Sequence, residues 1–478
     1  MRYLPLSELI ISASGARGVI GESLTPERVV RLAAAFGNFI GSGRIVVGYD
    51  SRTSGPMMMH SVYAGLLATG CDILDVGMCP TPTILFMSRV EQADGSIVIT
   101  ASHNPAEWNG LEFAAQAGRL LNGQDLKSFL DIYHNQKLRL CSWNKQGKIK
   151  KLNQAISHHI NAILEAQWVD LEQTHSRQLS VVIDAGNGVG SRISPVLLRA
   201  LGCKVSEVFC HSDGSFPRPS EPYPEALSKL CQTVQSVGAD LGLAHDGDAD
   251  RLVIVDELGH AISSEYTFAL VADFLLGKTD QPAFIVATIS TSRLIEDVAH
   301  RHKAELFRVP VGVSFVVEKM KQLSKDNPEA LVLGGEGTGG VILPNWQHTT
   351  DGIAAISVIV QMLAESDDSI QSRVRNLPEY KMHKIKLKID RQATADELVR
   401  RAAVIFSQLS NSILDLTDGI RCVWPDRWVG IRKSGTEPVV RIFSEANSSG
   451  TAKELALQTQ QSLQEVIMQI EQEQMKDQ

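Results

Sequence analysis

The sequence predicts an α/β protein built from three related α/β units, followed by a smaller α+β segment. Two observations carry this prediction. An apolar strand, a helix and a second strand recur along the first part of the chain. The last segment then changes to strands rich in lysine and arginine, combined with long helical patterns.

In order, "SLTPERVVRLAAAFGNFI" reads as a helix with Thr25 as N-cap and Pro26 at its first position. The strand "RIVVGYD" follows, and another helix leads into "GCDILDVG". The same order returns in "LSVVIDAGNGVG", "RISPVLLRALG" and "CKVSEVF", and again in "PAFIVATISTS", "RLIEDVAHRHK" and "AELFRVPVG". Such near-continuous apolar strands are expected where crossover helices cover both faces of a sheet. Polar stretches at residues 142–153, 256–263 and 365–384 divide the chain into 1–150, 151–257, 258–372 and 373–478. The last division holds "KIKLKID", "GIRCVWPDRWVGIRKSGTEPVVRIFSEA" and a final helix whose apolar face is Leu455, Leu463, Val466, Ile467 and Ile470.

A chain of 478 residues, 44% hydrophobic and 21% charged, can bury several cores. Its formal charge of −8 gives no nucleic-acid footprint, so an anionic ligand requires a local basic pocket. Cys71, Cys79, Cys141, Cys203, Cys210, Cys231 and Cys422 are odd in number and form no C-x-x-C pair, which points to a reducing compartment. No leader pattern and no run of 18 apolar residues is present. The expectation is a cytoplasmic protein without a membrane partner.

In "AHDGDADRLVIVDE", Asp246, Asp248 and Asp250 alternate with small residues between apolar segments. In an extended or looped backbone such side chains converge, and three convergent carboxylates repel one another unless a cation compensates them. Hard oxygen donors select Mg²⁺ or Ca²⁺. An EF-hand is excluded, because its sixth position is Arg251 instead of glycine and "RLVIVDE" reads as a strand. A solvated acidic turn is the competing reading. "RKSGTEPVVRIFSEA" combines Arg432, Ser434, Gly435, Thr436 and Arg441 into either a phosphate cradle or a surface turn between strands. In "LVLGGEGTGGVILP", Glu336 and Thr338 stand among glycines, which suits either close approach to sugar hydroxyls or simple turn formation. Asp50 and Arg52 in "IVVGYDSRTSG" are expected to brace one another or the end of the sheet, with direct chemistry as the competing reading, and Arg17 is expected on a small-residue loop where it can meet an anion.

Ser102 follows the strand "SIVITA", so its hydroxyl is displayed at a strand end, where α/β sheets bind ligands. In an extended backbone His103 points away from it, so an adjacent Ser-His base pair is not expected. The alternative is that Ser102 carries a phosphoryl group. His103 is then a ligand-positioning donor or a locally bonded loop residue.

Taken together, "ASGARG", "TASHNPAEWNG", "DGDADR", "GGEGTGG" and "RKSGTEPVVR" resemble the α-D-phosphohexomutase superfamily over nearly the whole chain. The resemblance implies mixed sheets in three related domains, with the smaller fourth domain closing a central cleft. It implies that Ser102 is a phosphoserine and that Asp246, Asp248 and Asp250, with Ser102, hold Mg²⁺. Glu336 and Thr338 would contact the sugar, while Arg432, Ser434, Gly435, Thr436 and Arg441 would hold a phosphate. Arg17 and Arg251 would stand at the reacting centre. The implied reaction is a mutase acting on hexose phosphates, with a hexose 1,6-bisphosphate as intermediate and activator, in a monomer or homodimer. Within the superfamily, "EWNG" with "GGEGTGGVILP" is most similar to phosphoglucosamine mutases, with phosphomannomutase/phosphoglucomutase as the alternative. A non-catalytic sugar-phosphate-binding protein is the reading from another class. The chain departs from the family pattern in "NGLEF", where Glu112 replaces a lysine proposed as acid/base, in the sugar loop, which ends Gly339-Gly340-Val341 where many relatives have a histidine after Ser-Gly, and at Ala249 where glycine is common.

Overall fold

The computed structural model describes residues 9–12, 15–135, 138–389, 392–434 and 439–476. The first helix, Pro26–Ile40, begins as its sequence signals: Thr25 Oγ1 accepts the Arg28 N–H at 3.5 Å, and Gly41 ends the helix at φ +84°.

Three sheets share one core pattern. In the first, Asp72–Met78, Arg44–Tyr49 and Gly95–Ile99 run parallel in that spatial order, and Trp108–Ala115 closes antiparallel on Gly95–Ile99. The second has Lys204–Val208, Ser180–Asp184 and Leu241–His245 parallel, closed antiparallel by Leu252–Val255. The third repeats this with Glu305–Val309, Ala283–Thr288, Leu331–Glu336 and Gly340–Ile342. The turn between the third and fourth strand therefore recurs in each unit. In the first it carries Ser102, in the second Asp246, Asp248 and Asp250, and in the third Gly337 and Thr338. The first sheet is widened by Gly15–Val19 and Ile10–Ser12 on one side and by Ile149–Lys151 on the other.

The C-terminal sheet is wholly antiparallel, in the order Lys381–Lys388, Val439–Ala446, Arg427–Lys433, Ile420–Val423 and Ile413–Asp415. Helices Gln392–Phe406 and Ser449–Lys476 accompany it. Leu463, Val466 and Ile470 are buried as the helical period predicts, with Leu455 and Ile467 packed against them.

One apolar core runs from Val46 and Ile84 in the first unit, through Leu243 and Ile254 in the second, to Phe268 and Ile356 in the third. The C-terminal sheet and its helices have a separate core. Helix Gly352–Ala364 is apolar on every side because it lies within the shared core, where Ile353 to Leu363 are all buried. Its N-cap Asp351 accepts the Ile353 and Ala354 N–H groups at 3.0 and 2.9 Å, and its other oxygen accepts from Trp346 at 2.7 Å and meets His159 Nε2 at 3.1 Å. No helix among the described residues is long and apolar enough to cross a membrane.

Candidate active site

Ser102 leaves its strand in the left-handed region, with φ +47°, and is 4% exposed. Its N–H donates to Thr100 Oγ1 at 2.8 Å, and Thr100 in turn donates to Asp50 Oδ2 at 2.7 Å. Ser102 Oγ lies 3.2 Å from Asp246 Oδ2. This brings the first and second recurrent turns into hydrogen-bond contact. Gly247 permits the approach, since a Cβ there would stand 2.7 Å from the Ser102 carbonyl oxygen. The left-handed turn also overturns the expectation for His103: its Nδ1 lies 3.3 Å from Ser102 Oγ instead of pointing away. Burial, then Arg251, Arg17, Arg441 and Arg52, push the imidazole down to about 2, so it is neutral.

Arg52 does more than brace Asp50. It is 1% exposed, and its Nε donates to Asp50 Oδ2 at 3.1 Å. Nη1 donates to the carbonyls of Pro105 and Trp108 at 2.5 and 2.9 Å, and Nη2 to those of Ser102 and Asn104 at 2.8 and 2.7 Å. Every N–H of the guanidinium is used, and four of these bonds fix the backbone of the serine loop.

Asp246, Asp248 and Asp250 place one carboxylate oxygen each within 4.8 Å of one another. Asp246 and Asp248 are each 1% exposed. Burial, followed by the neighbouring carboxylates, raises both above the ordinary 3.8, Asp248 to about 8. Asp248 Oδ1 and Asp250 Oδ1 are buried without a hydrogen-bond partner. Clustered carboxylate oxygens without hydrogen-bond partners fit a hard divalent cation such as Mg²⁺. Arg251 compensates part of the charge from 3.7 Å beside Asp246 and 3.9 Å beside Asp250. Ala249 has φ +60°, a conformation that favours glycine, and its methyl group is fully buried.

Arg17 and Glu112 form an ion pair of 2.7 Å between adjacent strands. Arg17 also donates to Asn104 Oδ1 at 3.2 Å, so it too touches the serine loop. Glu112 is 7% exposed; burial raises its carboxyl, with Arg17 opposing and Asp250 adding to the shift.

The third turn joins the second through an antiparallel bridge between Arg251 and Gly340. Burial raises the Glu336 carboxyl above its ordinary value against the pull of Arg251 and Arg432, which places it within electrostatic reach of the aspartate turn and the C-terminal domain. Thr338 Oγ1 is buried without a hydrogen-bond partner. Gly337 lets the Glu265 carboxylate lie against the turn, since a Cβ would stand 2.1 Å from Glu265 Oε1 and push that side chain aside.

From the C-terminal sheet, Arg432 and Arg441 stand opposite one another on paired strands. Like charges across a ladder repel, so the pair favours an anion between or beside them. Arg432 Nε is held by Asp418 Oδ2 at 2.6 Å, and the same oxygen accepts the Val311 N–H at 2.9 Å from the third unit. Ser434 is 2% exposed and its N–H donates to Val439 C=O at 2.9 Å. Gly435 and Thr436 lie outside the described residues.

The structure thus gathers Ser102, His103, Arg17, Glu112, the three aspartates and Arg251 at one centre, with Glu336, Arg432 and Arg441 facing it electrostatically. Sequence reasoning missed the reach of Arg52 and the buried Thr81 and Thr350, which bond Asp248 and Asp250. No local pattern signals a contact across 167 or 100 residues.

Comparison with known proteins agrees with this architecture. Residues 9–139, 157–259 and 263–380 match alpha/beta/alpha domains I, II and III of phosphoglucomutase/phosphomannomutase, and 385–461 match its C-terminal domain. A phosphoglucomutase/phosphomannomutase of Thermococcus kodakarensis is 39% identical over 92% of this chain and 95% of its own length. A probable phosphoglucosamine mutase of the same organism is 35% identical over 92% and 95%. The crystal structure of a phosphoglucomutase/phosphomannomutase family protein from Burkholderia thailandensis superposes with a TM-score of 0.82 at 26% identity, covering 96% of this chain and 97% of that one. The four-domain match, the recurrent turns and the carboxylate cluster together place this chain in the phosphoglucomutase/phosphomannomutase family of the α-D-phosphohexomutase superfamily, with the phosphohexomutase type of isomerase activity.

Proposed function

We propose that the chain interconverts hexosamine 6-phosphate and hexosamine 1-phosphate, as a phosphoglucosamine mutase, through a phosphoryl group on Ser102 and a 1,6-bisphosphate intermediate. The observation that carries this reading is a buried serine hydroxyl 3.2 Å from the first of three clustered carboxylates.

The bond from phosphorus to Ser102 Oγ breaks as a bond forms from phosphorus to the free sugar hydroxyl, whose proton passes to a base. The bisphosphate turns end for end, and the reverse transfer to Ser102 Oγ releases the isomeric monophosphate. Asp246, Asp248 and Asp250 would hold Mg²⁺ with an oxygen of the phosphorylated Ser102. When bound, that ion supplies positive charge against the transferring group. Arg17 and Arg251 add fixed positive charge beside it. Glu112 suits the base, since burial lifts its carboxyl. His103, kept neutral by burial and then by the surrounding arginines, suits a positioning role. Glu336 and Thr338 would bind the sugar. Arg432, Ser434, Gly435, Thr436 and Arg441 would hold the phosphate that is not reacting. The divisions near residues 150, 257 and 372 separate the parts that bring these groups together.

A phosphomannomutase/phosphoglucomutase is the second reading, favoured by the name of the 39%-identical relative. The test compares kcat/KM for glucosamine, glucose and mannose 6-phosphates with Mg²⁺ and catalytic hexose 1,6-bisphosphate. The highest value is expected for glucosamine 6-phosphate; a higher value for glucose or mannose 6-phosphate favours the second reading. Ser102→Ala is expected to lose turnover by several orders of magnitude. Full turnover by that variant would remove the phosphoserine route.

A further inference from the structure

Three repelling carboxylates need something to fix their orientation, and for two of them the neighbouring units provide it through one oxygen each. Thr81, the first residue of helix Thr81–Val90, donates its hydroxyl to Asp248 Oδ2 at 2.7 Å. Its backbone N–H, which an α-helix leaves unused at that position, donates to the Asp248 carbonyl at 3.1 Å. Thr350, from the third unit, donates to Asp250 Oδ2 at 2.9 Å. Both threonines are buried, at 2% and 1% exposure. On each of these aspartates the other oxygen, Oδ1, is buried and accepts no hydrogen bond, although Arg251 Nε stands 3.9 Å from that of Asp250. One oxygen pinned from behind and its twin left without a hydrogen bond is the pattern that outer hydrogen bonds impose on a carboxylate ligand.

We propose that Thr81 and Thr350 are positioning residues for the divalent cation, each fixing the rotation of one carboxylate so that its Oδ1 faces the ion. The carboxylates come from the second unit, Thr81 from the first and Thr350 from the third. Cation affinity is therefore set by the packing of all three units, and a bound cation reinforces that packing by linkage. The inference rests on the reading of the aspartate turn as a cation site.

The test is calorimetric titration of chelator-stripped protein with Mg²⁺, without substrate. Thr81→Val and Thr350→Val, which keep the shape and remove the hydroxyl, are each expected to raise the Mg²⁺ Kd about 10- to 100-fold. Thr81→Ser and Thr350→Ser are expected to keep most of the affinity. Circular dichroism and metal-free unfolding establish that each variant is folded; if Thr81→Val is not, Thr350→Val and the two serine variants decide the matter. Folded valine variants with the wild-type Kd, or serine variants as weak as the valine ones, overturn the inference alone. A wild-type chain that binds no Mg²⁺ overturns the cation reading as well.

Discussion

Glu112 shows how a single residue changes meaning between sequence and structure. Read alone, it replaces an expected cation, and Glu112→Lys would then raise turnover by restoring it. In the folded chain its carboxylate anchors Arg17 at 2.7 Å, so a lysine there would repel that guanidinium. Its ammonium would also compete for Asp248 and Asp250, which lie within electrostatic reach of Glu112. Glu112→Lys is therefore expected to lower kcat by at least about tenfold, a loss of roughly 1.4 kcal/mol in transition-state stabilisation. Glu112→Gln, which can still accept from Arg17, should lose less, and steady-state kinetics of the two variants check the order. A rise in kcat with lysine would return Glu112 to the role of a defect. The difference was hidden because the partners are 95 residues apart. The aspartate cluster was legible because its members are two residues apart and flanked by strands.

At the scale of elements, the loop after strand Gly95–Ile99 is held less by its own sequence than by Arg52 on the loop after a neighbouring strand. Lysine has neither the planar fork nor enough donors to replace this clamp. Breaking a buried ion pair costs roughly 3–5 kcal/mol of stability, and Arg52→Lys should approach that figure in urea unfolding because the loop carbonyls also lose their donors. Turnover should fall with it, although Arg52 touches no proposed substrate group. A variant with wild-type stability and turnover would remove the clamp from the account. The alternation of strands and helices, the first helix start and the serine turn were legible from apolar runs, from Thr25 with Pro26 and from Asn104-Pro105. The left-handed backbone of Ser102 was not, since Asn104-Pro105 marks a turn without fixing the conformation of the serine before it. The third-to-fourth-strand turn that recurs in each unit became visible only when the sheets were assembled, because the units share a topology more clearly than they share residues.

Across the whole molecule, the shared core of the first three units stops where the C-terminal domain begins. Polar contacts carry the seam. Glu296 joins Arg308 at 2.6 Å to Arg421 at 3.0 Å, and Glu445 accepts the Arg293 N–H at 3.0 Å. Glu265, behind the turn that carries Gly337 and Thr338, also lies at this seam. Burial raises its carboxyl from 4.5 to about 7, against the pull of Lys384. A carboxyl raised on folding stabilises fully below the unfolded value, and that contribution is lost as pH climbs through the folded value. Wild-type stability relative to Glu265→Gln should thus decline between pH 4.5 and about 7 and level off above, as measured by unfolding at each pH. A constant difference would mean that Glu265 does not titrate in that window. The seam has a consequence for descent as well as for stability. A domain with its own apolar core, joined through one crossing of the chain, can be exchanged by recombination with the core of the other three units kept intact, provided the newcomer again pairs Glu296 and Arg293. Such an exchange would replace the strands that carry Arg432 and Arg441 and leave Glu336, Thr338, Ser102 and the three aspartates unchanged.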